Sequence, residues 1–403
     1  MKKRYLALLI SAASCACATN LALAKGAQVD KVALGEELFF DPDLSFYQNE
    51  SCSSCHSPDH GYTDGRVTKA NGIVSEGSDG HSFGTRNAPT AAYAKFSPHF
   101  HYDKKKGEYV GGQFLDGRAV DLAAQAGGPP VNPVEMAMGN EDEVVARIKA
   151  KPFYHDNFIK LYGEHVWDST KTAYAAMTDA IAAYEMTDEF APFDSKYDRY
   201  LRGEYELTLL EDLGRTLFFS NNNLKCIECH TLEKREDLKN ETFSNYEYHN
   251  IGVPSNPELL ALDKLPEDFK DEGLAENPMI TDPADRAKQR GKFKVPTLRN
   301  VAVTGPYMHN GVFKDLRTVV LFYDKYNNPE NKINPETGKP WGKPEVDGTL
   351  SMDKLLAKKL TDRKVDALVA FMETLTDKRY EPLLERQKKA RAEAQAKQQA
   401  QGK

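Results

Sequence analysis

Cys52-Ser53-Ser54-Cys55-His56, near the start of the chain, and Cys226-Ile227-Glu228-Cys229-His230, just past its middle, decide how this sequence is read. Each is a C-x-x-C-H run, the attachment signature of c-type haem. The spacing has a chemical reason. Thiols at i and i+3 share one face of a helical turn, where both reach the two vinyl groups of one porphyrin. The histidine that follows then brings its imidazole to the iron as proximal ligand. A structural disulfide or a redox C-x-x-C pair would not call for histidine after each pair. One zinc ion held by both pairs would leave both histidines without a use. Cys52, Cys55, Cys226 and Cys229 are therefore expected to carry two covalent haems, with His56 and His230 as axial ligands.

The two remaining cysteines, Cys15 and Cys17, fall in an N-terminal leader. It has Lys2-Lys3-Arg4, a short apolar stretch over residues 5–10, and Ala22-Leu23-Ala24 as an A-x-A cleavage site, so residues 1–24 read as a secretory signal peptide. The apolar part is too short to span a bilayer, and no later stretch is long and apolar enough. The expected location is the periplasm, with no membrane span. The 403 residues carry 53 Lys+Arg against 60 Asp+Glu, a formal charge of −7. That argues against a protein built to coat nucleic acid. Cleavage would remove three basic residues and no acidic one, leaving a more acidic chain that suits a basic docking partner. Only 40% of residues are hydrophobic, a deficit that two buried macrocycles would offset.

The chain also repeats itself. Leu34-Gly35-Glu36-Glu37-Leu38-Phe39-Phe40 precedes the first haem motif and Leu213-Gly214-Arg215-Thr216-Leu217-Phe218-Phe219 the second; Pro89-Thr90 and Pro296-Thr297 follow them. Two haem domains of similar plan are implied. Helical spacing prevails elsewhere: Tyr174, Met177, Ile181 and Tyr184; Val144, Val145 and Ile148; Val365, Leu368, Val369 and Met372. Period-two strands are few. Residues 379–403, rich in Lys, Arg, Ala, Gln and Glu, read as a solvated or disordered charged tail.

Further runs carry a specific resemblance. Between the haem motifs stand Arg86-Asn87-Ala88-Pro89-Thr90, Phe114-Leu115-Asp116-Gly117-Arg118-Ala119, Gln125-Ala126 and Asn132-Pro133-Val134-Glu135-Met136. After the second come Val295-Pro296-Thr297-Leu298-Arg299-Asn300 and Thr304-Gly305-Pro306-Tyr307-Met308-His309-Asn310-Gly311. In this order, over residues 30–378, the chain resembles the bacterial dihaem cytochrome c peroxidase family, and within it the MauG-like branch. The expected fold is all-α: two cytochrome c-like haem domains, at 25–200 and 201–378, with long loops and little β structure. The resemblance also implies a calcium ion between the domains, held by the Asn87 side chain and the carbonyls of Thr304 and Pro306; hard oxygen ligands suit Ca²⁺.

Leu316, Val319, Val320 and Tyr323 stand at i, i+3, i+4 and i+7, one apolar helix face. By itself this makes Tyr323 a buried tyrosine whose hydroxyl finds a partner. The resemblance puts the position over the iron of the second haem, where ordinary dihaem peroxidases carry Met and MauG-like members Tyr. Met308 and His309 are rivals for that place. A phenolate is hard and anionic and favours ferric and higher states, so a His230/Tyr323 haem implies that both irons share the oxidising equivalents.

Gln125 and Glu135 are separated by the helix-breaking Gly127-Gly128-Pro129-Pro130, where a chain reversal would bring both over one haem. On sequence alone each reads as a surface polar residue. The resemblance makes Glu135 the general acid–base group that moves a proton between peroxide oxygens, and Gln125 the group that orients bound oxygen. His81 stands where ordinary dihaem peroxidases have a histidine that blocks the first haem. Its gap to Asn87 is short, and it reads here as a loop histidine that leaves that haem open. Leu115 departs from the family, which commonly has an oxidisable tryptophan there, between the haems; neither Trp167 nor Trp341 takes that position. The function implied is a periplasmic MauG-like peroxidase or oxidase. It would reduce hydrogen peroxide at the N-terminal haem and pass oxidising equivalents through the C-terminal haem to a protein substrate or electron donor. The alternatives are a standard cytochrome c peroxidase served by a small cytochrome or copper protein, and a non-enzymatic dihaem electron carrier.

Overall fold

In each half of the chain two helices close on each other through a glycine. The computed structural model describes residues 29–220 and 224–401; the expected signal peptide at 1–24 lies outside the described residues. Helix Lys31–Phe39 starts at Asp30, whose carboxylate accepts from the Ala33 N–H, and it packs on helix Thr170–Glu185. At the crossing a Cβ on Gly35 would stand 1.9 Å from the Ala180 carbonyl oxygen. Helix Leu209–Phe218 starts with a capping box between Thr208 and Glu211 and packs on helix Asp362–Glu373. There a Cβ on Gly214 would stand 1.8 Å from the Ala367 carbonyl oxygen. The repeated Leu-Gly run is thus a packing device, used twice.

A core forms around each pair. Leu34, Leu38 and Phe39 meet Met177, Ile181 and Tyr184 in the first. Leu217 and Phe218 meet Val365, Leu368 and Phe371 in the second, which also takes Leu316 and Phe322. Val144, Val145 and Ile148 are buried as their spacing requires. The frame is mostly helical with little sheet, as expected. The strands among the described residues form two short antiparallel pairs, His101–Asp103 with Glu108–Val110 and Tyr248–His249 with Phe293–Lys294.

Buried polar clamps join the halves. Arg299, 1% exposed, binds both carboxylate oxygens of Asp198 beneath the rings of Tyr93, Phe193 and Phe243. Arg86 reaches Asp271 at 2.6 and 2.7 Å and also holds Asp116.

Of the two expectations for the tail, solvated or disordered, the structure keeps the first and corrects the second: the described side chains beyond Leu384 are mostly exposed, but the chain is ordered. Residues Glu381–Gln401 are helical, and Leu383 and Leu384 in the first turn join the second core. Ala, Gln, Glu, Lys and Arg are good helix formers, and the run has no Gly or Pro after Pro382. Two leucines, too few to show as a periodic face, anchor its start.

Candidate active site

Each C-x-x-C-H run borders its own cavity. Cys52, Cys55 and His56 line one of about 150 Å³; Cys226, Cys229 and His230 line one of about 330 Å³. The four cysteines are unpaired, which gives the disulfide reading no support. Among the described residues no group of three or more His, Cys, Asp or Glu is placed to hold a bare metal ion, which gives the zinc reading no support.

Both histidines are set by the same backbone device. His56 Nδ1 lies 3.2 Å from the Tyr62 carbonyl oxygen and His230 Nδ1 3.2 Å from that of Phe243. A carbonyl only accepts, so Nδ1 carries the proton and Nε2 keeps a free lone pair, the tautomer a metal requires. Burial lowers the His56 imidazole and pulls His230 down to about 4, keeping both neutral. The Pro-Thr runs brace the cradles: Thr90 Oγ1 donates to the Gly61 carbonyl and Thr297 Oγ1 to the Thr242 carbonyl, both at 2.6 Å. Paired thiols, a neutral imidazole with a free nitrogen and apolar walls fit a haem at each site.

The remaining walls differ. Gln125 and Glu135 both line the smaller cavity with His56. Gln125 is the penultimate residue of the short helix Leu122–Ala126; a 3₁₀ turn over Pro129–Val131 reverses the chain, and Met136 N–H and Met138 N–H close back on the Pro129 and Pro130 carbonyls. Loop 75–84 then presses on Glu135: Ser78 N–H donates to its carbonyl at 2.8 Å, and a Cβ on Gly77 would stand 2.6 Å from the Val134 carbonyl. Burial raises the Glu135 carboxyl, opposed by the Arg118 guanidinium and a hydrogen bond from Asn132.

In the larger cavity Leu316, Val319, Val320 and Tyr323, the four residues of the apolar face, stand together on the wall. Burial holds the Tyr323 phenol above its ordinary range. Met308 shares the wall, as does His309. His309 is already committed: its Nε2 pairs with Glu345 at 3.0 Å and its ring stacks on Phe293 at 3.8 Å.

Asn87, Thr304 and Pro306 also line the larger cavity. The Asn87 amide nitrogen donates to the Gly72 and Ile73 carbonyls at 3.0 and 2.9 Å, which turns its oxygen the other way. The Thr304 and Pro306 carbonyls accept no hydrogen bond among the described residues, so three hard oxygens are unspent there. His81 lies outside both cavities, 75% exposed by side chain and tied to Asp79. Leu115 borders both.

Sequence reasoning missed several lining residues. Arg118 lies over the Phe114 ring at 3.7 Å. Glu185, 4% exposed and last in its helix, has one carboxyl oxygen without a partner, and burial lifts it to about 8. Gln113 borders both cavities. Arg118 and Gln113 sit in or beside a quoted run; for Glu185, at the end of an Ala-rich helix, no signal was available.

Two cysteine–histidine cavities that share a wall inside a mostly helical frame define an oxidoreductase with paired haem sites. The di-haem cytochrome c peroxidase family matches residues 29–206. The chain is 54% identical over 361 residues to the methylamine utilization protein MauG of Paracoccus denitrificans, spanning 89% of this chain and 91% of that one. To the cytochrome c peroxidase Ccp of Escherichia coli it is 33% identical over 302 residues, 73% of this chain and 53% of that one. The crystal structure of the diheme peroxidase BthA from Burkholderia thailandensis aligns with a TM-score of 0.76 at 30% identity, covering 88% of this chain and 90% of that one. The chain belongs to the di-haem cytochrome c peroxidase family and is a MauG-like dihaem peroxidase, an enzyme that uses peroxide as oxidant.

Proposed function

We propose that hydrogen peroxide is reduced in the cavity beside His56 and that oxidising equivalents leave through the cavity beside His230 to a protein substrate or electron donor. One observation carries this reading: Gln125 and Glu135, kept apart by a proline turn, line the same cavity as Cys52, Cys55 and His56. Haem iron, covalently held by Cys52 and Cys55 and by Cys226 and Cys229 and ligated by His56 and His230, supplies the redox chemistry when bound. Glu135 takes a proton from one peroxide oxygen and returns it to the other. Gln125 orients the oxidant by hydrogen bonding, and Arg118 favours the ionised form of Glu135. Tyr323 offers a phenolate as sixth ligand on the His230 side; the 3.0 Å contact of His309 Nε2 with Glu345 argues against His309 in that role. Asn87, Thr304 and Pro306 hold Ca²⁺ at the junction. The two cores, which part between Ala191 and Tyr197, support two cytochrome c-like domains. The leader supports export to the periplasm. No helix among the described residues is long and apolar enough to cross a membrane.

EPR spectroscopy of the ferric protein tests the reading. A high-spin signal that changes on adding hydrogen peroxide is expected; no high-spin signal and no response would leave only an electron carrier. Tyr323→Phe should alter the low-spin signal while Met308→Leu leaves it unchanged, and the reverse would reassign the ligand. Rapid peroxide-dependent oxidation of a small reduced cytochrome would identify a standard donor.

A further inference from the structure

Oxidising equivalents that pass between the cavities must cross the wall they share. That wall is made of residues 87–90, Ala94 and residues 113–115. Amide, hydroxyl, aliphatic and phenyl groups there are poor electron donors. Beside Ala94, Tyr93 lines the larger cavity and is 1% exposed. Its hydroxyl donates to Asp377 Oδ1 at 2.6 Å and accepts from the Phe193 N–H at 3.2 Å. Three other tyrosines line that cavity. Tyr246 has a buried hydroxyl without a partner, Tyr323 has the role given above, and Tyr307 has no carboxylate partner among the described residues. Tyr93 alone of these is hydrogen-bonded to a carboxylate.

The backbone at Tyr93 is strained as well, a property it shares with Tyr246 at φ 58°. Tyr93 has φ 61°, in the left-handed region that a bulky residue rarely adopts. Tyr93 stands three residues after Thr90, and its counterpart in the repeat, three residues after Thr297, is Asn300, with φ 62°. Asn300 Nδ2 donates to the other oxygen of Asp377 at 2.8 Å, and Asp377 N–H donates to Asn300 Oδ1 at 2.8 Å. Asparagine tolerates this backbone region; tyrosine is strained in it, and strain of this kind collects at functional positions. Asp377 is 1% exposed, and burial lifts its carboxyl to about 6 against hydrogen bonds from Tyr93 and Asn300 and the Arg299 charge. The charged groups around the pair are Arg299 over the Tyr93 ring at 5.3 Å, its partner Asp198, and Asp194. A cation over the ring opposes any state in which the ring itself becomes positive.

We propose that Tyr93 is a redox-active residue of this enzyme, giving an electron to the peroxide-oxidised centre and its phenolic proton to Asp377. The O–H bond of Tyr93 breaks and an O–H bond forms on Asp377 Oδ1. The products are a neutral tyrosyl radical and a neutral carboxylic acid. One electron from the donor, with return of the proton, restores both groups. This inference rests on the peroxide reading above.

Freeze-quench EPR after mixing the holoenzyme with hydrogen peroxide tests it. A tyrosyl signal is expected whose splitting collapses in protein made with ring-deuterated tyrosine. Tyr93→Phe should abolish that signal in protein that still carries two haems, and Asp377→Asn should lower its yield at least tenfold. If Tyr93→Phe does not fold, 3-fluorotyrosine placed at position 93 should add fluorine splitting to the signal. A tyrosyl signal unchanged by these substitutions overturns the proposal. So does the absence of any tyrosyl signal in holoenzyme whose haem absorption responds to peroxide. Haem absorption that ignores peroxide overturns the underlying reading and this inference together.

Discussion

The two cavities are built alike where they hold histidine and differently on their other walls. In both, a backbone carbonyl fixes the imidazole at 3.2 Å, a Pro-Thr threonine braces the cradle at 2.6 Å, and a glycine brings two helices together. The smaller cavity then presents Gln125, Glu135 and Arg118; the larger presents the apolar face of helix Leu316–Asp324, ending in Tyr323. The repeat has kept the histidine cradle and has diverged in the remaining walls, and on the proposed function this divergence separates the wall that meets peroxide from the wall that does not. A small polar oxidant needs a group that can give and take protons. A site that only stores and passes charge does not.

Removing the attachment thiols breaks this comparison most severely. Cys52→Ala with Cys55→Ala should leave one macrocycle by mass spectrometry and bring peroxide reduction to background. Cys226→Ala with Cys229→Ala should also leave one macrocycle, but the remaining haem should still respond to peroxide. The same response from both variants would erase the division of labour. Next in size is Glu135→Gln, expected to slow peroxide reduction by about 10²–10⁴-fold with haem content unchanged. The pH dependence follows from the raised Glu135 carboxyl. To take a proton it must first be ionised, so the rate is full above its raised value and falls as pH drops through it. That fall begins at higher pH than an ordinary glutamate would give, and the Gln variant should lack it. Stopped-flow rates across a pH series measure both effects.

That each C-x-x-C-H run gathers two thiols and an imidazole on one cavity was legible in the sequence, because the spacing places three residues together at once; haem attachment and ligation there belong to the proposed function. Tyr323 was legible as part of a face, since Leu316, Val319, Val320 and Tyr323 share one side of a helix by periodicity alone and all four stand on the cavity wall. Glu135 and Gln125 needed the family likeness, because two polar residues flanking a Gly-Pro turn look the same whether they meet solvent or a cavity. Tyr93 with Asp377 was not legible. The partners lie 284 positions apart, and no local pattern reports a contact between halves. The start of the last helix escaped notice for a related reason: Leu383 and Leu384 are buried by the second core, not by a face of their own helix.

Arg299 sharpens the comparison through stability. It stands two residues after Thr297, where the first repeat has Ala92 two residues after Thr90, so the buried ion pair to Asp198 has no counterpart in the first repeat. Arg299→Met would leave Asp198 buried without its cation, with only Ser195 as a hydrogen-bond donor beside it. The expected loss is roughly 3–5 kcal/mol, the range for breaking one side of a buried pair. Chemical denaturation followed by haem absorption should show the second site failing before the first.

The paired glycines give the smallest and most symmetrical effect. In Gly35→Ala and Gly214→Ala the new methyl meets a backbone carbonyl at 1.9 and 1.8 Å, an atom that cannot rotate away, so the helices must separate. Overpacking of this kind costs about 1–3 kcal/mol. The helix opposite Gly35 carries Ile181 and Glu185 on the smaller cavity, and the helix opposite Gly214 carries Leu368 and Met372 on the larger. Each substitution should therefore disturb the absorption of its own haem and leave the other in place. Equal losses of stability with opposite spectroscopic assignments would show that the repeat is mechanical as well as sequential. A single shared transition in both variants would show that the clamps at Arg86 and Asp377 bind the two halves into one cooperative unit.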